Sequence, residues 1–149
     1  MRAMTTRTLR YRAGNEHDPG DPFGRTELVI RPDGSAWLDH FAPDRPVSSW
    51  IGQVAATALD AVWAGLERAG FPAAPQGNFV AGSSLRHLTV EVDGVSRQAT
   101  LAWNKTKSMP GYAEAFDVLD GVIRQLSGEK VRYPSPQPPI VSAITTLGP

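Results

Sequence analysis

Apolar and polar positions alternate from Thr6 to Arg12, with Leu9 and Tyr11 on one side and Thr8, Arg10 and Arg12 on the other. A period of two sends successive side chains to opposite faces of an extended strand, so this run predicts a half-buried strand. The pattern recurs over Arg25–Arg31, where Leu28 and Ile30 align. It recurs again over Ala36–Ala42, where Trp37, Asp39 and Phe41 oppose Leu38 and His40. Asp33-Gly34 lies between these two runs and predicts a hairpin. Val47–Val54, with Trp50 and Ile51, is a weaker fourth strand, reached through a turn at Pro43 to Pro46.

The period then changes. Leu59, Val62, Trp63 and Leu66 stand at helical spacing, so Ala55–Ala69 is expected to be an amphipathic helix. Gly70 ends it, Pro72 prevents its return, and Phe71 is placed to fold back onto its last apolar turn. Burying four such side chains is worth on the order of 6 to 12 kcal/mol before entropy is subtracted. Leu85–Val92 and Arg97–Trp103 alternate around Asp93-Gly94 and form the clearest hairpin in the chain. Ala115, Phe116, Leu119, Val122, Ile123 and Leu126 then make the stripe of a second helix, Tyr112–Leu126, stopped at Ser127-Gly128.

The order is ββββαββα. Strands and helices are segregated, which argues for an α+β fold: an antiparallel sheet of about six strands with two helices packed on one face. The 149 residues suit one domain, taken as residues 1–133. Residues 134–149 contain five prolines and read as an extended Pro-rich tail. Ile140, Val141, Ile144 and Leu147 give that tail the means to lie partly on the domain.

Composition narrows the chemistry. There is no cysteine, which excludes disulfides, thiolate metal sites and a Cys nucleophile. Fifteen basic side chains balance fifteen acidic ones, so the basic excess of a nucleic-acid binder is lacking. The cluster Arg2, Arg7, Arg10 and Arg12 reads as a solvated strand face. No apolar run approaches the roughly 20 residues that span a bilayer, and the N-terminus lacks the apolar stretch of a secretory signal. The expectation is a protein that stays in the cytoplasm or leaves it by a non-classical route, without membrane or nucleic-acid partners.

No catalytic or cofactor constellation emerges. His17, His40 and His87 share no metal-binding spacing. His17 stands among Glu16, Asp18 and Asp21, but Pro19 and Pro22 interrupt the run and it does not match a calcium loop. Asp39 and His40 are adjacent in a strand and point to opposite faces. Gly82-Ser83-Ser84 lacks the nucleophile-elbow pattern, and there is no glycine-rich phosphate loop. Asp117 and Asp120 sit three apart on the second helix and are read as ordinary solvated carboxylates. Catalytic, cofactor and metal residues are therefore expected to be none.

What remains is recognition by shape. Trp63 and Trp103 fall on apolar stripes and are assigned to the core, whereas Trp37 and Trp50 stand between packing and an interface. Two loops, Ala13–Gly24 and Pro72–Ser84, exceed the usual length and carry proline, which suits presented recognition loops. They contribute His17, Phe23 and Phe79, so the candidate interface is Trp37, Phe41, Trp50, His17, Phe23 and Phe79.

One stretch has a familiar order. It runs from Leu66, Glu67, Gly70, Phe71 and Pro72 through Leu88-Thr89-Val90-Glu91-Val92-Asp93-Gly94 to Tyr112 and the Phe116-x-x-Leu119 helix. This resembles the emfourin group, small bacterial proteins whose named example inhibits thermolysin-like metalloproteases. The resemblance covers the C-terminal half of the domain. It implies antiparallel strands with two helices and a non-catalytic, protein-binding role, with a metalloprotease as partner. The acidic first loop and the Pro-rich tail depart from that pattern, and no inhibitory residue is carried over. Two other roles fit the same residues. One is an immunity or accessory protein for a cognate toxin or enzyme. The other is a small-ligand binder or small enzyme using His40, His87, Asp39 or Tyr11 on a concave sheet face.

Overall fold

The computed structural model describes residues 7–14, 24–41, 46–73, 85–102, 106, 108–128, 131 and 144–146. The elements are β1 (Arg7–Gly14), β2 (Arg25–Ile30), β3 (Ser35–Phe41), β4 (Ser48–Val54), α1 (Ala56–Ala69), β5 (Leu85–Val92), β6 (Val95–Ala102), α2 (Tyr112–Leu126) and β7 (Ile144–Thr146). The first eight reproduce the ββββαββα order and the α+β class expected from periodicity.

Among the described residues the strands form one antiparallel sheet in the order β6-β5-β1-β2-β3-β4-β7. The first four strands are a meander. Helix α1 then carries the chain back across the sheet, so that β5 pairs with the free side of β1. The seventh strand comes from the Pro-rich segment. Its three residues pair with Gly52–Val54 of β4, so part of that segment lies on the domain.

Register explains the core. Leu9 pairs with Ile30, Tyr11 with Leu28 and Leu88, Leu28 with Leu38, and Leu88 with Ala99. Residues opposite one another in an antiparallel pair share a face, so the alternation in each strand adds up to one apolar surface. Both helices lie on that surface. Ala58, Leu59, Val62 and Leu66 of α1, and Ala115, Phe116, Leu119, Val122, Ile123 and Leu126 of α2, join the strand residues in a single buried cluster.

Three local devices fix the layout. In the β2–β3 turn Gly34 has φ 87°, its N–H donates to the Arg31 carbonyl at 2.9 Å, and Arg31 N–H donates to the Ser35 carbonyl at 2.9 Å. Asp33 Oδ1 accepts from the Ser35 amide and hydroxyl at 2.9 and 2.7 Å, an interaction that lowers the Asp33 pKa. At the end of α1, Gly70 is left-handed and Phe71 N–H reaches the Leu66 carbonyl at 3.0 Å. This is a Schellman-type stop, and it packs Phe71 against the core as expected. Between the helices, a Cβ on Gly65 would stand 2.7 Å from the Gly111 carbonyl oxygen and 3.2 Å from the Ala115 Cβ. The glycine in mid-helix is what lets α1 and α2 approach so closely.

Asp120 corrects the expectation of a solvated carboxylate. It is buried, with Arg86 of β5 beside it. The Arg86 guanidinium donates to Asp120 Oδ1 at 3.1 Å and Oδ2 at 2.9 Å, and also to the Tyr11 oxygen. Tyr11 in turn donates to Asp120 Oδ1 at 2.9 Å. The guanidinium carbon lies 4.9 Å from the Phe116 ring centroid. Asp117, three residues earlier, is exposed.

Candidate functional site

With both helices on one side, the opposite face of the sheet carries no covering layer among the described residues. Its side chains come from the other set of alternate positions. Arg10 and Arg12 of β1, Glu27 and Val29 of β2, Trp37, Asp39 and Phe41 of β3, and Ser49 and Ile51 of β4 all lie there. Trp37 pairs with Val29 on one side and Ile51 on the other. Trp37 is 51% exposed and Ile51 46%, an unusual state for neighbouring large apolar side chains.

The indole is nonetheless held. Trp37 Nε1 donates to Asp39 Oδ1 at 2.6 Å, and Ser49 Oγ donates to the same oxygen at 2.5 Å. Asp39 thus fixes an exposed aromatic ring from one strand and is fixed by its neighbour. A ring held before binding loses less freedom when a partner covers it.

Among the described residues, two depressions lie on this face. The larger, of about 670 Å³, is lined by Arg10, Val29, Arg31, Ser35, Trp37 and Ile51 among others. Two of its lining residues are arginines and none is a carboxylate. The smaller, of about 350 Å³, lies over β1, β2, β5 and β6 and is lined by Arg10, Arg12, Glu27, Val29, His87 and Thr100 among others. Arg10 and Val29 border both, so the two hollows are neighbours on the face. His87 Nδ1 lies 3.0 Å from Thr100 Oγ1 at the floor of the smaller one.

The sequence-derived interface residues separate. Trp37 and Phe41 are brought onto this open face, where the Arg25 guanidinium carbon stands 4.6 Å from the Phe41 ring centroid. Trp50 pairs with Leu38 and packs against the core on the helix side. His17, Phe23 and Phe79 lie outside the described residues, as does Trp103. Trp63, assigned to the core, is partly buried against it, with the Arg7 guanidinium carbon 5.1 Å from its ring.

The roots of the long loops do come together. Gly14 pairs with both Arg25 and Leu85, and Arg25 pairs with Phe41. Segments 15–23, 42–45 and 74–84 therefore all leave the sheet at one end. The tight turns at 31–34 and 93–94 occupy the other. Phe41 stands where the open face meets the loop end.

The polar groups weighed for a ligand or catalytic site do not converge. Tyr11 points to the helix side, in the Arg86–Asp120 network, and His40 faces the same way as Leu38. Asp39 and His87 share the open face but are carried by β3 and β5, with β2 and β1 between them. Strand spacing sets their backbones roughly 14 Å apart. Among the described residues no group of three or more His, Asp or Glu side chains is placed to hold a metal ion. No helix among them is long and apolar enough to cross a membrane.

Burial dominates the inner network. It pushes the Asp120 carboxyl above the usual carboxylate range, with Arg86 and the Tyr11 hydroxyl pulling the other way. Burial alone would lower the Arg86 pKa, but the Tyr11 oxygen and Asp120 more than offset it and hold the guanidinium charged. The sequence reading passed over this pair. Arg86 shares the parity of Leu88 and Val90, which was the available signal for an inward-facing charge. No family model and no curated protein matches the chain.

Proposed function

We propose that this chain is a non-catalytic protein-binding domain that engages its partner through the open sheet face around Trp37. The observation that carries this reading is the exposed Trp37–Ile51 pair in the larger depression, its indole already oriented by Asp39. Tryptophan is enriched among residues that dominate binding energy, and such residues sit in pockets that exclude water. Arg10 and Arg31 beside the apolar floor favour a partner segment that presents an apolar side chain flanked by carboxylates. The loop roots adjoin this face at Phe41.

Inhibition of a thermolysin-like metalloprotease is the specific form of this reading to test first, since the emfourin resemblance nominates that partner. Occlusion by shape needs no reactive group, which fits the dispersed polar side chains. The test is calorimetric titration of such proteases with the wild-type chain and with Trp37→Ala. Saturable binding that weakens at least about tenfold in the variant, the effect of truncating a central aromatic anchor, supports the proposal. Binding to the protease that is indifferent to Trp37 contradicts the assigned face. No binding at micromolar concentration removes the protease as partner.

A further inference from the structure

Among the described residues no strand pairs with the outer side of β6, and Arg97 is the one charge on it. The strand has eight residues, as many as β5, and no proline or lysine. The far edge differs, since the three-residue β7 covers the end of β4 there. Val95, Ser96, Arg97 and Gln98 are all exposed, on both faces of the strand, and Val95 is 58% exposed. Free strand edges are templates for pairing with another chain, and proteins ordinarily blunt them with charges, bulges or proline.

The hairpin sets which backbone groups are free. Asp93 and Gly94 both have positive φ, 51° and 83°, as in a two-residue turn of the primed type. Such a turn is closed by a hydrogen-bonded pair, here Val92 and Val95. Hydrogen-bonded and non-bonded pairs then alternate. Val90–Arg97, Leu88–Ala99 and Arg86–Leu101 exchange bonds, while the amides and carbonyls of Ser96, Gln98, Thr100 and Ala102 point away from β5.

We infer that β6 pairs antiparallel with β6 of a second copy of this chain, about a two-fold axis at Gln98. Going beyond the open-face reading, this continues the sheet across two molecules and leaves the Trp37 face clear. Side-chain complementarity favours self-pairing. With Gln98 on the axis, Val95 lies opposite Leu101 of the partner subunit and Ser96 opposite Thr100 of the partner subunit. Arg97, the single charge on the strand, lies opposite Ala99 of the partner subunit, so no like charges meet. Ser96, Gln98 and Thr100 each give and accept one main-chain hydrogen bond. An isologous interface of this kind closes on itself and forms no fibre.

The test is sedimentation equilibrium of the intact chain and of Gln98→Pro. The variant removes an N–H that points away from β5, so the intramolecular ladder is kept. The expected result is a species of twice the 16.1 kDa chain mass for wild type and a monomer for Gln98→Pro, with matching circular dichroism. The natural chain has no cysteine, so a single introduced thiol reports the register cleanly. Oxidised Gln98→Cys is expected to form a covalent dimer, whereas Ser96→Cys is not. A wild-type chain that stays monomeric into the high-micromolar range overturns the inference. So does a Gln98→Pro chain that remains dimeric, or cross-linking equally efficient from both positions.

Discussion

Arg86, Asp120 and Tyr11 hold a charged cluster inside the helix–sheet layer, and their individual loss carries unequal costs. Removing Asp120 takes the carboxylate from a buried guanidinium. Asp120→Ala is therefore expected to destabilise the fold by about 3–5 kcal/mol, read from denaturant unfolding. Replacing the whole cluster by Tyr11→Phe, Arg86→Met and Asp120→Leu is expected to cost less than Asp120→Ala, because neither charge of the pair is then left buried. A triple variant as unstable as Asp120→Ala would show that the cluster does more than satisfy itself. The inward parity of Arg86 was legible beside Leu88 and Val90. Its partner was not, because Asp120 is 34 residues away and meets it only through the register of β5 against α2. Trp37 belongs to the same scale with the opposite expectation. Its side chain is exposed, so Trp37→Ala should leave stability within about 0.5 kcal/mol while weakening partner binding.

At the scale of elements, the helix contact and the helix start make separate predictions. Gly65→Ala drives a methyl into the Gly111 carbonyl, and α1 must shift to relieve it. A loss of about 1–3 kcal/mol is expected, against the gain that alanine brings to an open helix position. Equal or greater stability would mean that the helices have room to separate. At the start of α2, Gly111 N–H donates to Glu114 Oε2 at 2.6 Å, and that backbone bonding lowers the Glu114 pKa. A depressed carboxylate stabilises the fold above its unfolded pKa, and the stabilisation is lost as pH falls through the folded value. Wild type should therefore melt higher than Glu114→Gln at neutral pH, with the gap closing below about pH 4. A gap that persists in acid would contradict the assignment. Boundaries at this scale were largely legible: Leu85–Val92 and Tyr112–Leu126 follow directly from their alternation and stripe. The sixth strand begins two residues earlier than Arg97, because Val95 closes the Asp93-Gly94 turn with Val92.

Across the whole molecule the helices lie on one side of the sheet, and among the described residues one face and one edge are left uncovered. The inner and outer sets were readable from each strand alone, since Leu38 inside requires Trp37 outside. What the sequence withheld was the order of the strands. Only the return of α1, which sets β5 against β1, brings Arg10 between Val29 and Thr89 and makes one continuous surface from separate runs. The same return gathers the roots of segments 15–23 and 74–84 at one end, a proximity no local pattern encodes. The most direct test is quantitative affinity capture from the native cells with two baits, the wild-type chain and a Trp37→Glu/Ile51→Glu variant of matched stability. The account predicts a stoichiometric partner recovered by wild type and lost with the variant. The same partner recovered equally by both baits would contradict it.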